Sequence, residues 1–450
     1  MEINKALNSD SFPSTVDKLN FVDHISKFLG LAVSQLYLLC ALITCYEVIS
    51  RYVFDAPTQW AFETVMVLCA SAWMLSAGYI TLHKRHIGIT VIYIMVDKAK
   101  QWYLDLFAYV IGVIALWMFV DDTLVRAIES VMMVERAGSA WNSPQPLILK
   151  TMLVTGATVY LTQLLVNLYR HFDSKVAKNI ISGVAAFIIF RIILVFFEHA
   201  FELKGVIAIN EHLSSIAAYL EPTKYVDIRD IGIKWASILI VSLMILLMMT
   251  GMPLGIVTLF VSILSALFYF GFNGLYLVST NAFGLLEAYP LIAVPLFVLM
   301  ASILEKAGVA EDLFDAMQIF AGKLRGGVAI QTIVVAVILA AMSGVMGGEI
   351  VMLGLVALPQ MMRLGYNRKL AIGVVCASGA LATLIPPSII MIVYGLSANV
   401  AIGDLFMAGA VPGLMLATFY AIFTLIRCYI NPSLAPNAEE VAAALGKEMK

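Results

Sequence analysis

Residues 342–397 read MSGVMGGEIVMLGLVALPQMMRLGYNRKLAIGVVCASGALATLIPPSIIMIVYGLS. The stretch is apolar enough for a bilayer, and it is interrupted twice. The first interruption is Ser343-Gly344-Val345-Met346-Gly347-Gly348-Glu349, small residues followed by an acid. The second is Thr383-Leu384-Ile385-Pro386-Pro387-Ser388, a double proline inside an otherwise spanning segment. Proline removes an amide donor and clashes with the preceding turn, and glycine has low helix propensity, so both points are predicted to unwind. Unwound backbone at bilayer depth is tolerated only where protein or a water-filled cavity satisfies its polar groups. Two such breaks close together imply an ion and substrate site built from discontinuous helices, the arrangement of secondary transporters.

The whole chain fits that setting. It has 450 residues, 61% of them hydrophobic and only 13% charged. A soluble domain carries about 25% charged residues, so the fold class is an all-α polytopic membrane protein. The net charge of −2 and the lack of a dense basic patch give no support for nucleic-acid binding. The five cysteines, Cys40, Cys45, Cys69, Cys376 and Cys428, lie mostly in apolar runs without paired metal spacing, so no transition-metal site is expected. No His/Asp/Ser or metal constellation in a polar domain suggests an enzyme, and no bound cofactor is expected. The polar N-terminus lacks a signal-peptide apolar region and reads as a cytoplasmic tail.

Apolar runs at 28–49, 60–82, 103–126 and 147–169 are each near the ~20 residues a spanning helix needs. Basic clusters follow the second run (His83-Lys84-Arg85-His86) and the fourth (Arg170, Lys175, Lys178), so both ends of this four-span unit are predicted on the cytoplasmic side. Residues 87–101 read as an interfacial helix. A fifth run, 180–200, carries Arg191 near its middle, which requires a protein-facing or snorkelling position. Asp121-Asp122 read as a wet helix end. Residues 201–232 are polar and acid-leaning and form the linker. The organisation is therefore 1–172, a four-helix membrane domain; 173–232, a connecting helix and linker; and 233–450, a second membrane domain.

In that second domain, runs near 233–250, 254–272 and from Pro290 precede an amphipathic segment at 310–325. Lys323 and Arg325 flank the 328–345 run, and Arg363, Arg368 and Lys369 follow the 349–362 run. Both flanks are basic and both runs are short, so a re-entrant hairpin with its tip at Ser343–Glu349 is expected. Two short crossings fit the charges equally; the small polar tip favours the hairpin. A span broken at Pro386-Pro387 and a last span at 405–428 follow. The total is about ten transmembrane helices, the hairpin and the proline-broken helix.

From Pro290 to Pro412 the chain resembles the large membrane subunit of tripartite ATP-independent periplasmic (TRAP) transporters. The matching pieces are PLIAVPLF (290–297), LRGGVA (324–329), the tip at 343–348, LPQMMRLGYNRKLA (358–371), LIPPSIIMIVYG (384–395) and LFMAGAVPGL (405–414). The first 170 residues resemble the small membrane subunit through RYVFDAP (51–57), Trp60 with Glu63, and HKRHIGI (83–89). The chain therefore looks like a fusion of both subunits, joined by the extra helix at 180–200. The family's large subunit has two inverted repeats, each with a hairpin and a broken helix. One such pair is found here, so the second repeat is expected either in a separate chain or in a longer form of this one.

The resemblance implies a sodium-coupled importer of an organic acid, such as a C4-dicarboxylate, in the bacterial inner membrane, served by a periplasmic substrate-binding protein and moving by an elevator mechanism. Membrane lipid and a second chain are the other implied partners. Sodium wants several oxygens, which unwound carbonyls and hydroxyls supply. Carried over by motif, its ligands are Ser343, Gly347, Thr383, Ile385 and Pro387, with Gly344, Gly348, Glu349, Gly379, Pro386 and Ser388 as substrate or gating candidates. The bland reading of the glycines is close helix approach. Glu349 serves either as a cation or proton partner or as a cap at a helix N-terminus. Arg51, Trp60, Glu63 and His86 are small-subunit motif residues whose bland role is anchoring and packing. Rival readings are another ion-coupled carrier of this architecture and a truncated membrane scaffold.

Overall fold

The computed structural model describes residues 20–201, 207, 209, 232–321 and 324–436. Among these the chain is helical throughout, with no strand, and eight helical segments are long and apolar enough to cross a membrane. Most of the 201–232 linker lies outside the described residues. The chain divides into two compact units, Met1–Glu287 and Ala288–Lys450.

The first unit begins with α1 (Phe21–Tyr52), α2 (Ala61–Leu82), a five-residue helix α3 (Val91–Met95), α4 (Lys98–Met133) and α5 (Gln145–His171). Asp23, fully buried in the first turn of α1, accepts the Asn20 amide (2.7 Å), the Gln163 side-chain amide (2.9 Å) and the Arg170 guanidinium. These contacts tie the start of α1 to the end of α5. Gly156 lets α5 approach α2 closely: a Cβ there would fall 2.5 Å from the Met74 carbonyl oxygen.

Two expectations change in this unit. Residues 87–101 do not form one interfacial helix. Asp97 adopts an extended conformation after α3, and Lys98 already opens α4. Because α4 runs on to Met133, Asp121 and Asp122 lie inside it rather than at a wet end. Asp121 pairs with Arg191 (3.3 Å) on the connecting helix α6 (Lys175–Phe201), which gives that arginine its protein-facing position. Asp122 accepts the Ser279 hydroxyl and pairs with Arg126 (3.2 Å). Ser279 sits on α9 (Leu275–Leu286), a helix the sequence patterning did not show, after α7 (Ile233–Met249) and α8 (Leu254–Phe270). Leu247, Val257 and Val261 from α7 and α8 share one apolar core with Leu116, Val120 and Leu161 from α4 and α5.

The second unit contains α10 (Ala293–Lys306), α11 (Val309–Ala321), α12 (Gly327–Ser343), α13 (Met346–Arg363), α14 (Arg368–Gly379), α15 (Ile389–Ala398) and α16 (Ile402–Ile430). Helices α12 and α13 form the hairpin. The Val328 amide at the base of α12 donates to the Tyr366 hydroxyl (3.2 Å) just beyond α13, so both feet are held together. The Arg325 side chain and the Asn367 amide bond carbonyls of the 432–435 turn, closing the same end. The legs have 17 and 18 residues. At 1.5 Å per residue each is about 26 Å long, short of the ~30 Å hydrocarbon core. The broken span is interrupted earlier than the prolines: α14 stops at Gly379, a 3-10 turn covers Ala380–Thr383, and helix resumes only at Ile389.

Candidate functional site: the hairpin tip and the double-proline break

The tip is two residues long. Gly344 takes a left-handed conformation (φ 63°) and donates its amide to the Ala340 carbonyl (3.2 Å), and Val345 is extended before α13 begins. The position favours glycine on two counts, its positive φ and the lack of space for a side chain. A Cβ on Gly344 would stand 2.2 Å from the Pro387 carbonyl oxygen, so the tip lies directly on the double-proline break. The Ile389 amide, at the start of α15, also points to the Gly344 carbonyl (3.5 Å). Hairpin tip and break therefore meet where the broken span is interrupted between α14 and α15.

The break carries its own bonds. The Ser388 hydroxyl caps α15, accepting from the Met391 amide (3.5 Å) and donating to the Thr383 carbonyl (2.9 Å). Thr383 donates its hydroxyl to the Ala380 carbonyl (2.8 Å), so its carbonyl is engaged while its hydroxyl oxygen keeps lone pairs. Ile385 is buried and donates its amide to the Leu381 carbonyl (2.9 Å). The Pro386–Pro387 peptide is cis.

Ser343, buried at the end of α12, donates to Glu349 Oε1 (2.5 Å). Glu349 is 1% exposed, and its Oε2 has no hydrogen-bond partner. Gly379 fits the packing role: a Cβ there would lie 2.3 Å from Ile350 Cγ1. Gly347 and Gly348 do not, since an added Cβ meets nothing closer than 4.0 Å at either position. Gly347 is exposed on the first turn of α13. The structure thus brings together Ser343, Gly344, Glu349, Pro387 and Ser388, with Thr383, Ile385 and Pro386 on the same irregular segment.

Two further contributors come from α16. A Cβ on Gly409 would sit 2.9 Å from the Leu384 carbonyl oxygen, and one on Gly413 would sit 2.9 Å from Ile385 Cγ1. Their Gly-x-x-x-Gly spacing was the signal that a helix packs closely there. Ser378, fully buried beside Gly379, also leaves its hydroxyl unpartnered. For a cation such as sodium the donor set fits: hydroxyl and carbonyl oxygens on unwound backbone and one carboxylate oxygen without a partner.

The small-subunit motif residues lie in the first unit and brace loops. Arg51 pairs with Glu47 (2.5 Å), which in turn holds the Thr58 amide (3.1 Å). Trp60 stacks on Tyr46, and buried Glu63 accepts from the Ser143 hydroxyl. His86 stacks on Tyr160 (centroids 5.0 Å apart), with Nε2 2.8 Å from Thr81 Oγ1, and burial holds its imidazole below the usual range.

Residues 40–174 match the family model described as Tripartite ATP-independent periplasmic transporters, DctQ component, and residues 241–449 match that of the DctM component. The chain belongs to the TRAP transporter family. It is 34% identical over 203 residues to the C4-dicarboxylate TRAP transporter large permease protein DctM of Rhodobacter capsulatus, covering 42% of this chain and 46% of that protein. It is 35% identical over 196 residues to the ectoine TRAP transporter large permease protein TeaC of Halomonas elongata, covering 43% and 45% respectively. The sialic acid TRAP transporter large permease protein SiaM of Vibrio cholerae is 30% identical over 182 residues, covering 40% and 42%. The chain thus spans less than half the length of these relatives. Both matched models describe components of transporters, and neither describes an enzyme. The two components are joined in one chain, and the DctM match begins within α7, whose Leu247 shares a core with the DctQ-matched helices.

Proposed function

We propose that this chain is the membrane component of a sodium-coupled TRAP importer of an organic acid, such as a C4-dicarboxylate, in the bacterial inner membrane, its N-terminus cytoplasmic. A periplasmic substrate-binding protein delivers the solute. The observation that carries this reading is the contact between the hairpin tip at Gly344 and the carbonyl of Pro387. It places two unwound backbone segments against each other, and such segments are where secondary transporters bind their coupling ions and substrates. Sodium is the second cargo: Ser343, Pro387 and the hydroxyl oxygen of Thr383 offer it neutral oxygens, and Ile385 a backbone carbonyl on the same segment. The relatives' names span C4-dicarboxylates, ectoine, sialic acid and isethionate, organic acids that carry a carboxylate or, in isethionate, a sulfonate. That supports the class of solute and names no individual one. The hairpin unit moves in the elevator manner that the family resemblance implies.

The test is uptake of a radiolabelled C4-dicarboxylate into proteoliposomes containing the chain with its co-purifying partners. The expected result is uptake that needs both an inward sodium gradient and an added binding protein. Uptake without a binding protein would point instead to another ion-coupled carrier. A chain that purifies alone and takes up nothing overturns the proposal.

A further inference from the structure

Among the described residues of the tip–break region two buried side-chain oxygens have no hydrogen-bond partner, the Ser378 hydroxyl and one carboxylate oxygen of Glu349, and only the second belongs to a group that can carry charge. Glu349 Oε1 accepts the Ser343 hydroxyl, whereas Oε2 is buried with no hydrogen-bond donor against it. A helix cap does not account for this. A capping carboxylate uses its oxygens on free amides of the first turn, but the Glu349 amide already bonds the Val345 carbonyl (3.2 Å) and the side chain turns back across the tip to Ser343. Nor, among the described residues, does a cation pair with it. Helix α12 and the 380–383 turn carry no charged side chain, and α11 carries only acids. Arg368 and Lys369 begin α14 at the end away from Gly379, and Arg363 closes α13 at its far end. A buried carboxylate without a counter-charge is strongly unfavourable, so a cation is the natural complement.

We infer that Glu349 Oε2 is the one charged ligand of the coupling-cation site, offsetting the charge of the bound ion while Ser343 aligns the carboxylate. This inference rests on the sodium reading above and adds to it a ligand of different charge type. An all-neutral oxygen cage carries the full ionic charge as it moves, whereas a cage containing Glu349 moves as a neutral unit.

The test is equilibrium binding of radiolabelled sodium to the full chain in lipid nanodiscs. Melting is measured in parallel in choline chloride at the same ionic strength. Glu349→Gln keeps one oxygen to accept from Ser343 and replaces the other, the proposed ligand, with an uncharged amide nitrogen. It is expected to raise the half-saturating sodium concentration at least ten-fold while melting in choline chloride stays close to the parent. Sodium binding by E349Q at parental affinity overturns the inference and leaves the sodium site itself standing. Absence of saturable sodium binding in the unmodified chain overturns the sodium reading and this inference with it. If E349Q does not fold, the unmodified chain is treated with an apolar carbodiimide and Glu349 is followed by peptide mass spectrometry. Sodium, but not choline, is expected to slow that modification several-fold; equal rates in both salts overturn the inference.

Discussion

Replacing Gly344 by alanine tests the geometry of the tip at its tightest point. Two costs add. An L-residue held in the left-handed region costs about 1–2 kcal/mol. The new methyl would stand 2.2 Å from the Pro387 carbonyl oxygen, a backbone atom with no rotamer to yield. Relief requires the tip to withdraw by about 1 Å, losing the Ile389–Gly344 bond, and overpacking of this kind costs about 1–3 kcal/mol. The sum is about 2–5 kcal/mol. For a unit of this size each kcal/mol lowers the melting midpoint by about 2–4 °C, so a fall on the order of 5–15 °C is expected. The control is Gly347→Ala, three residues along. Its Cβ meets nothing and its helical backbone favours alanine by about 1 kcal/mol, so G347A should melt at or slightly above the parent. The assay is thermal unfolding in one detergent, read by intrinsic fluorescence. Equal midpoints for G344A and the parent would refute the tip–break contact.

Three further outcomes follow from the first unit and its loops. Asp121→Asn should destabilise by about 1–3 kcal/mol by leaving Arg191 without its carboxylate, and a double-mutant cycle with Arg191→Gln should return a coupling of about 1 kcal/mol or more; additive effects would dismiss the pair. Gly156→Leu should separate α2 from α5 and abolish a cooperative melt, because the Met74 backbone stands where the side chain would go. His86 should make stability fall with acid. Burial depresses its folded pKa below the ordinary 6.5, so the unfolded chain takes the proton first. Stability is then fully present above pH 6.5 and declines as pH drops from there through the folded value. His86→Gln should remove that part of the slope, and an unchanged pH profile would count against the buried imidazole.

Much of this arrangement was legible in the residues. Glycine and proline mark both breaks because they act locally, and the small polar tip between two short runs with basic flanks favoured the hairpin. Arg191 announced a protein-facing position because a mid-span guanidinium needs a partner, but only the packing of α6 on α4 identifies Asp121. What stayed hidden depends on tertiary contact. Gly379-Ala380-Leu381 is compatible with continuous helix; the close packing of Gly379 on Ile350 accompanies its end before the prolines. The length of α4 was obscured because Lys98 and Glu129 look like loop residues but occupy the ends of a helix longer than a bilayer requires. Helix α9 was hidden by Gly271 and Gly274, which punctuate the sequence while α8 and α9 nearly abut. At the site, hydroxyls and glycines drew attention to the correct segments. Whether a given oxygen is free depends on its partners, and that separates Thr383, whose carbonyl is taken by Ser388, from Glu349, whose Oε2 is not.

The central claim is that the hairpin tip rests on the double-proline break. The most direct measurement is cross-linking in a cysteine-free chain carrying Val345→Cys and Ile389→Cys, treated with a short bismaleimide in native membranes and analysed by peptide mass spectrometry. An intramolecular link joining the 345 and 389 peptides, formed as readily as one across the hairpin base between residues 328 and 365, is the predicted result. A base link without a tip link would contradict the account.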